Sequence, residues 1–134
     1  MSNGSEMGYA VIRKASGGFD QVVERTRQAL VNQGFGIMSE IDVSAALKKR
    51  IGADYPRTLI LGACNPALAL RALQAVTDIS VLMPCNVVIR ENQGEVEVAA
   101  IDTMAMAHLA NNPQFDEIAG EVGHLLSQAL DAIS

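Results

Sequence analysis

The chain has no tryptophan, and aromatic residues make up only 4% of its 134 residues. The volume of a hydrophobic core must therefore come from leucine, isoleucine, valine, methionine and alanine. With hydrophobic residues at 49% of the sequence, the composition excludes an intrinsically disordered chain. A chain of this length can bury a core without help from a structural metal or disulfide bonds.

Large basic clusters and long apolar runs are also missing. The net charge is −5, and the longest run of basic residues is Lys48, Lys49 and Arg50. A nucleic-acid-binding protein needs a basic face that replaces the counterions of the phosphates, so we expect no nucleic-acid partner. No apolar run reaches the roughly 18 residues that a membrane-spanning helix needs, so we expect no membrane partner either.

The segment from Met1 to Glu6 is polar and small, without the hydrophobic segment of a signal peptide. We therefore predict a disordered N-terminus over residues 1–7 and a single α+β domain over residues 8–134, located in the cytoplasm. Thiols stay reduced in that compartment, so Cys64 and Cys85 are predicted to be free.

Apolar periodicity and the turn residues between the periodic segments predict the order of helices and strands. In the first half of the chain we predict a strand at 9–13, a helix from Phe19 that ends at Gly34, a strand at 35–41, a short helix at 45–51 and a strand at 58–63. A helix from Asn65-Pro66 to about Val76 and an extended segment at 79–83 follow. The chain then continues with a hairpin of strands at 86–90 and 95–101, a short helix at 103–110 and a long last helix after Asn112-Pro113.

The hairpin argues against a purely parallel sheet, because its two strands follow each other directly in the chain. We predict a two-layer α+β sandwich in which helices pack on a mostly antiparallel sheet. The strand at 58–63 starts with a run that is apolar on both faces, so we predict that it is central.

Four segments of the sequence together resemble the domain of unknown function family 302, and the likeness extends from about Tyr9 to Ile133. The segments are 34–36 (GFG), 40–43 (EIDV), 61–66 (LGACNP) and 82–88 (LMPCNVV). The resemblance implies a fold similar to the TATA-binding-protein-like superfold and assembly as a homodimer. It implies no reaction, and likeness of fold to a DNA-binding protein is not evidence of DNA binding.

The two cysteines are the first candidates for chemistry. Cys64 comes just before a predicted helix N-terminus, where exposed amides and the helix dipole favour an anion, so its thiolate could be stabilised. The competing interpretation is a buried structural thiol, since free cysteine is among the most buried residue types. The spacing of the two cysteines leaves a reversible disulfide between them open.

A zinc site is not supported by spacing, because His108 and His124 lie on different predicted helices, far from the cysteines. Met104 and His108 share one helical face, and copper(I) accepts methionine and cysteine ligands. The competing interpretation is an ordinary methionine-rich core stripe. Cys64 and Cys85 remain the candidate metal ligands, and the sequence predicts no particular cofactor.

The candidate ligand-binding set consists of Cys64, Asn65, Cys85, Asn86 and Glu40. Asn65 already has a structural task as a helix cap, whereas Asn86 has none that the sequence reveals. Glu40 lies on one strand face with Asp42 and could serve as an acid, a base or a ligand. In the family that the chain resembles, this acidic segment recurs beside the cysteine segment.

Three hypotheses of function follow. The first is a dimeric module that binds a small molecule or a metal ion in a pocket near Cys64 and Cys85. The second is a thiol-based redox or transfer enzyme that uses Cys64. The third is an oligomeric interaction domain without a catalytic site. The first two depend on the chain bringing the Cys64 and Cys85 segments side by side.

Overall fold

The structure, a computed structural model, describes residues 8–133, so the predicted disorder of residues 1–7 lies outside it. The elements in chain order are β1 (Ala10–Ala15), α1 (Phe19–Asn32), β2 (Gly36–Asp42), α2 (Val43–Ile51), β3 (Thr58–Cys64), α3 (Pro66–Ala75), a 3-10 helix (Thr77–Leu82), β4 (Cys85–Asn92), β5 (Glu95–Ile101), α4 (Thr103–Ala110) and α5 (Pro113–Ile133).

The five strands form one sheet in the order β1-β5-β4-β3-β2, and every neighbouring pair is antiparallel. Helices pack against this sheet, which confirms the predicted two-layer α+β sandwich. β3 is an interior strand, paired on both sides, but the central position that we predicted for it belongs to β4. Strand β4 takes the centre because the β4–β5 hairpin pairs with β1 on one side and β3 on the other.

The main core lies between one face of the sheet and helices α1 and α5. Alternate strand residues face it, because successive side chains of a strand point to opposite faces. The long apolar stripe of α5 packs on this face, as its sequence pattern predicts. The buried residues of this core include Val22 and Leu30 of α1, Leu61 of β3, Val87 and Ile89 of β4, Val98 of β5 and Leu126 and Leu130 of α5.

None of the helices described by the structure is both long and apolar enough to cross a membrane.

A second, smaller core extends beyond the ends of the strands, where α3, the 3-10 helix, α4 and α5 meet. Its buried residues are Leu68, Ala72, Ile79, Met106, Ala107, Phe115, Ile118 and Ala119. This cluster is built almost entirely from helices and packs against the same helix α5 as the main core. This second core therefore covers the end of the sheet at which β3 ends and β4 begins.

The prediction of an extended segment at 79–83 was wrong. Residues Thr77–Leu82 form a 3-10 helix, and the Ile79 amide donates to the Val76 carbonyl at 3.0 Å. The run of apolar residues resembled a strand, yet only Ile79 is buried, whereas Val81 is 82% exposed. Burial of a single side chain per turn suits a short helical connection better than a strand.

Helix caps are present where an Asx residue precedes a helix. The Asp42 carboxylate accepts from the Ala45 amide, and the Asn65 side chain accepts from the Leu68 amide. Gly52 ends α2 in the left-handed conformation with φ of 69°. The local sequence signals therefore set the boundaries of these helices.

The other face of the sheet carries a row of apolar residues that crosses all five strands. The pairings are Ile12 with Ala99, Ala99 with Val88, Val88 with Ile60, and Ile60 with Ile41. These residues alternate with the core-facing residues of the same strands and belong to neither core cluster. We call this row the open-face row.

Candidate functional site

A small cavity of about 50 Å³ lies at the end of the sheet where β3 finishes and β4 begins. Residues at the strand ends line one side of the cavity, and residues of α3, α4 and α5 line the other. Most of its lining is apolar, with two aromatic rings, Phe35 and Phe115. Both cysteines line it, one from each of two neighbouring strands.

The antiparallel register of β3 and β4 brings the cysteine segments together. Cys85 lies directly opposite Ala63, and Cys64 is the next residue along β3. The two segments are therefore side by side although about twenty residues separate them in the sequence. The structure thus meets the spatial condition that the first two hypotheses share.

Cys85 is partly buried at the start of β4. Burial, together with the neighbouring Cys64, raises the pKa of the Cys85 thiol to about 11. The thiol is therefore neutral at neutral pH, and its proton must leave before the sulfur can act as a thiolate.

Cys64 is also partly buried, and burial raises the pKa of its thiol as well. The sequence left two interpretations of Cys64 open, a thiolate stabilised at the N-terminus of α3 and a buried structural thiol. In the structure Asn65 lies between Cys64 and the helix, and its side-chain oxygen accepts from the Leu68 amide at 3.2 Å. One of the amides that could have stabilised the thiolate is therefore already bonded, and desolvation determines the direction of the shift.

Asn65 connects the cavity to the turn before β2. Gly34 in that turn has φ of +87°, and a Cβ added there would lie 3.1 Å from the side-chain nitrogen of Asn65. Gly36 pairs with Cys64, so the 34–36 segment packs against the 64–65 corner. The glycines of this turn therefore support the position of Asn65 and Cys64.

Two members of the predicted ligand set do not line the cavity. Asn86 is exposed and pairs with Gly62, on the face of the sheet opposite the main core. Glu40 pairs with Leu61, so it lies roughly 10 Å along the sheet from the Cys64 end, three residues at strand spacing. The structure brings together only Cys64, Asn65 and Cys85.

Glu40 instead forms a two-point ion pair with Arg27 of α1. The guanidinium donates to the two carboxylate oxygens at 2.6 Å and 2.7 Å. These bonds lower the pKa of the Glu40 carboxyl. Glu40 therefore joins β2 to α1, and a structural role accounts for it.

The methionine–histidine pair of α4 is separate from the cysteines. Met104 and His108 are exposed and line an open surface depression together with Asn111 and Asp116. Within residues 8–133, no group of three or more His, Cys, Asp and Glu side chains is placed to hold a metal ion. A metal at the cysteine cavity would therefore need ligands of another kind.

Sequence reasoning missed two methionines that line the cavity, Met83 and Met106. Met83 precedes Pro84, with which it forms a cis peptide bond, and lies two residues before Cys85. Its proximity to Cys85 was a usable signal. Met106 gave no such signal, because only the packing of α4 brings it to the cavity.

Comparisons with known proteins agree with the architecture. The family model described as "Domain of unknown function DUF302" matches residues 11–133. The crystal structure of an uncharacterised conserved DUF302 protein from Bacillus stearothermophilus matches with a TM-score of 0.90 and 24% sequence identity, covering 95% of this chain and 99% of that chain. At this identity the likeness shows the fold alone. A search of curated proteins gives no significant match.

Proposed function

Because the chain belongs to the DUF302 family, whose description assigns no activity, we propose a function from the cavity itself. The protein is a binding module that holds a small ligand or one metal ion between Cys64 and Cys85. The observation that carries this proposal is the convergence of both cysteines, from two strands, on one cavity.

The size of the cavity limits what it can hold. At about 50 Å³ it is several times smaller than the roughly 300–1,000 Å³ of pockets that bind drug-sized molecules. It has room for a metal ion or a few non-hydrogen atoms. The proposal therefore excludes nucleotides, sugars and other extended substrates as ligands of the cavity in this conformation.

A thiol enzyme that uses Cys64 fits these observations less well. Catalytic cysteines act as thiolates and have a lowered pKa, whereas burial raises the pKa of both cysteines here. A metal ion overcomes this obstacle because it displaces the proton directly and stabilises the thiolate by coordination. Binding is thus favoured over thiol catalysis.

The proposal includes a homodimer that forms through the open-face row. This face carries aligned apolar side chains from all five strands, beside a second row in which Lys14, Glu97 and Arg90 alternate in charge; Glu97 is buried and pairs with Arg90. A face that carries both charge signs beside an apolar strip can pair with a second copy of itself across a two-fold axis. A nucleic acid would require an excess of positive charge instead, which this chain lacks.

The proposal also places the protein in the cytoplasm, where reduced thiols remain available for a ligand. The cavity lies at the sheet end, away from the centre of the open-face row, so ligand binding and dimerisation use different surfaces.

The test is to measure what the full chain carries when it is purified under reducing, anaerobic conditions. Native mass spectrometry and elemental analysis are expected to show one bound ion or small ligand per chain after exposure to candidate metals. Cys64→Ser and Cys85→Ser should each remove it while circular dichroism stays unchanged. His108→Ala, which alters the separate depression on α4, is the matched control and should retain full occupancy.

A chain that stays free of ligand throughout, or one whose occupancy survives the double serine substitution, contradicts the proposal. If the serine variants unfold, Cys85→Ala and Cys64→Ala repeat the test without a polar atom in the cavity.

A further inference from the structure

The cavity is rich in sulfur. Four sulfur-containing residues line it, namely Cys64, Cys85, Met83 and Met106. The chain has two cysteines and six methionines, so half of its sulfur-containing residues line a cavity of about 50 Å³. The four residues come from the end of β3, the segment before β4, the start of β4 and helix α4, which only the folded chain brings together.

The cavity lining offers few metal-binding side-chain atoms other than sulfur. Among the described residues that line the cavity there is no Asp, Glu, His, Lys or Arg. The Asn65 oxygen accepts from the Leu68 amide, and the Thr103 hydroxyl donates to the Ala119 carbonyl at 2.7 Å. Calcium and magnesium require several oxygen ligands, so the cavity is unsuited to either ion.

We propose that the ligand of this cavity is a soft monovalent cation of the copper(I) type, bound by the sulfurs of Cys64 and Cys85 with the thioethers of Met83 and Met106 completing the site. This inference rests on the proposed function of the cavity and adds the class of ligand. Thiolates and thioethers are the ligands that copper(I) prefers, and an apolar surrounding shields it from water.

Binding exchanges protons for the metal without any oxidation or reduction. The two S–H bonds break, two metal–thiolate bonds form, and two protons pass to solvent, while the thioethers of Met83 and Met106 bind as neutral ligands. The site therefore changes from two neutral thiols and a +1 ion to a complex of charge −1. The cysteines are the titratable groups of the described lining. Because each cysteine must lose its proton to bind as a thiolate, protons compete with the metal and the apparent affinity should rise with pH.

The experiment is an anaerobic titration of the full chain with copper(I) against a chromogenic copper(I) chelator. The expected result is one copper per chain, with loss of binding in Cys64→Ser or Cys85→Ser. Met83→Leu and Met106→Leu keep apolar volume but remove the thioether, and each should weaken binding by about tenfold or more. Met104→Leu is the control, because Met104 lies on the same helix as Met106 but is exposed.

Protection of the thiols from alkylation separates this inference from the proposed function. If zinc(II) or a co-purifying small molecule protects the thiols while copper(I) does not, the copper inference fails and the proposed function stands. If copper(I) binds but Met83→Leu and Met106→Leu bind as tightly as Met104→Leu, the four-sulfur site is wrong. If no metal or molecule protects either thiol, both fail.

Discussion

Cys85 lies directly opposite Ala63 in the antiparallel pairing of β4 with β3. This register places the start of one strand beside the end of the other, and the two cysteines reach one cavity as a consequence. Residues of helices α3, α4 and α5 then cover the cavity. The candidate site is therefore a product of strand register, which no local sequence pattern specifies.

The first prediction concerns stability at alkaline pH. Cys85 ionises near its ordinary pKa of 9.0 in the unfolded chain, but burial raises the pKa to about 11 in the folded chain. The contribution of the neutral thiol to stability is therefore fully present below the pKa that Cys85 has in the unfolded chain. It is lost as the pH rises through the pKa that Cys85 has in the folded chain. Relative to Cys85→Ala, the native chain should lose about 2 kcal/mol of unfolding free energy between about pH 8 and about pH 11.

The measurement is urea unfolding of both chains at a series of pH values. Parallel pH dependences of the native chain and the alanine variant would show that Cys85 does not keep a raised pKa in the fold.

The second prediction concerns the close approach at Gly62. A Cβ added to this residue would lie 2.7 Å from Cγ of Pro84 and would also contact the Ser39 hydroxyl. Gly62→Ala should therefore displace the Pro84 segment and lower the free energy of unfolding by about 1–3 kcal/mol, the usual cost of overpacking. Gly36→Ala is the matched control, because its Cβ would meet only the Cys64 carbonyl oxygen, at 3.8 Å. Equal destabilisation by the two substitutions would contradict this account of Gly62.

The third prediction separates Glu40 from the site. Glu40→Gln breaks an exposed ion pair with Arg27, so its effect on unfolding free energy should be under about 1 kcal/mol. Occupancy of the cysteine cavity should not change, because Glu40 does not line it. Native mass spectrometry of the loaded variant checks this. A loss of occupancy with the fold intact would return Glu40 to the ligand set that the sequence predicted.

The fourth prediction concerns the proposed dimer. Val88 occupies the centre of the open-face row, on the central strand β4. A charge introduced there would be buried without a partner in the dimer, so Val88→Glu should shift the chain to monomer. Val31→Glu places the same charge on the exposed side of α1, where Val31 is 54% exposed, and should leave the assembly unchanged. Sedimentation velocity distinguishes the two, and a monomeric native chain or a dimeric Val88→Glu variant would contradict the proposed interface.

Much of the fold follows from local signals in the sequence. Asn65-Pro66 and Asn112-Pro113 mark helix starts, Gly52 ends α2, and Gln93 and Gly94, both with positive φ, form the tight turn of the β4–β5 hairpin. These signals act over a few residues, so they are readable without the fold.

The site was only partly predictable, because its geometry depends on long-range packing. The cysteine segments were identified from the sequence, but whether they meet depends on the β3–β4 register. Asn86 and Cys85 are adjacent in sequence, yet strand alternation sends them to opposite faces of the sheet. Met106 reaches the cavity only through the packing of α4 on α5, and the pKa of Cys64 depends on burial that the sequence does not reveal.

The central claim, that the cavity between Cys64 and Cys85 is a binding site, is tested most directly by locating a bound ion in it. Crystals of the chain loaded anaerobically with silver(I), a redox-inert substitute for copper(I), would reveal the ion by its anomalous scattering. The account predicts one strong peak per chain, within bonding distance of both cysteine sulfurs and beside Met83 and Met106. Silver found only at surface methionines such as Met38 and Met104, with both thiols unligated, would contradict it.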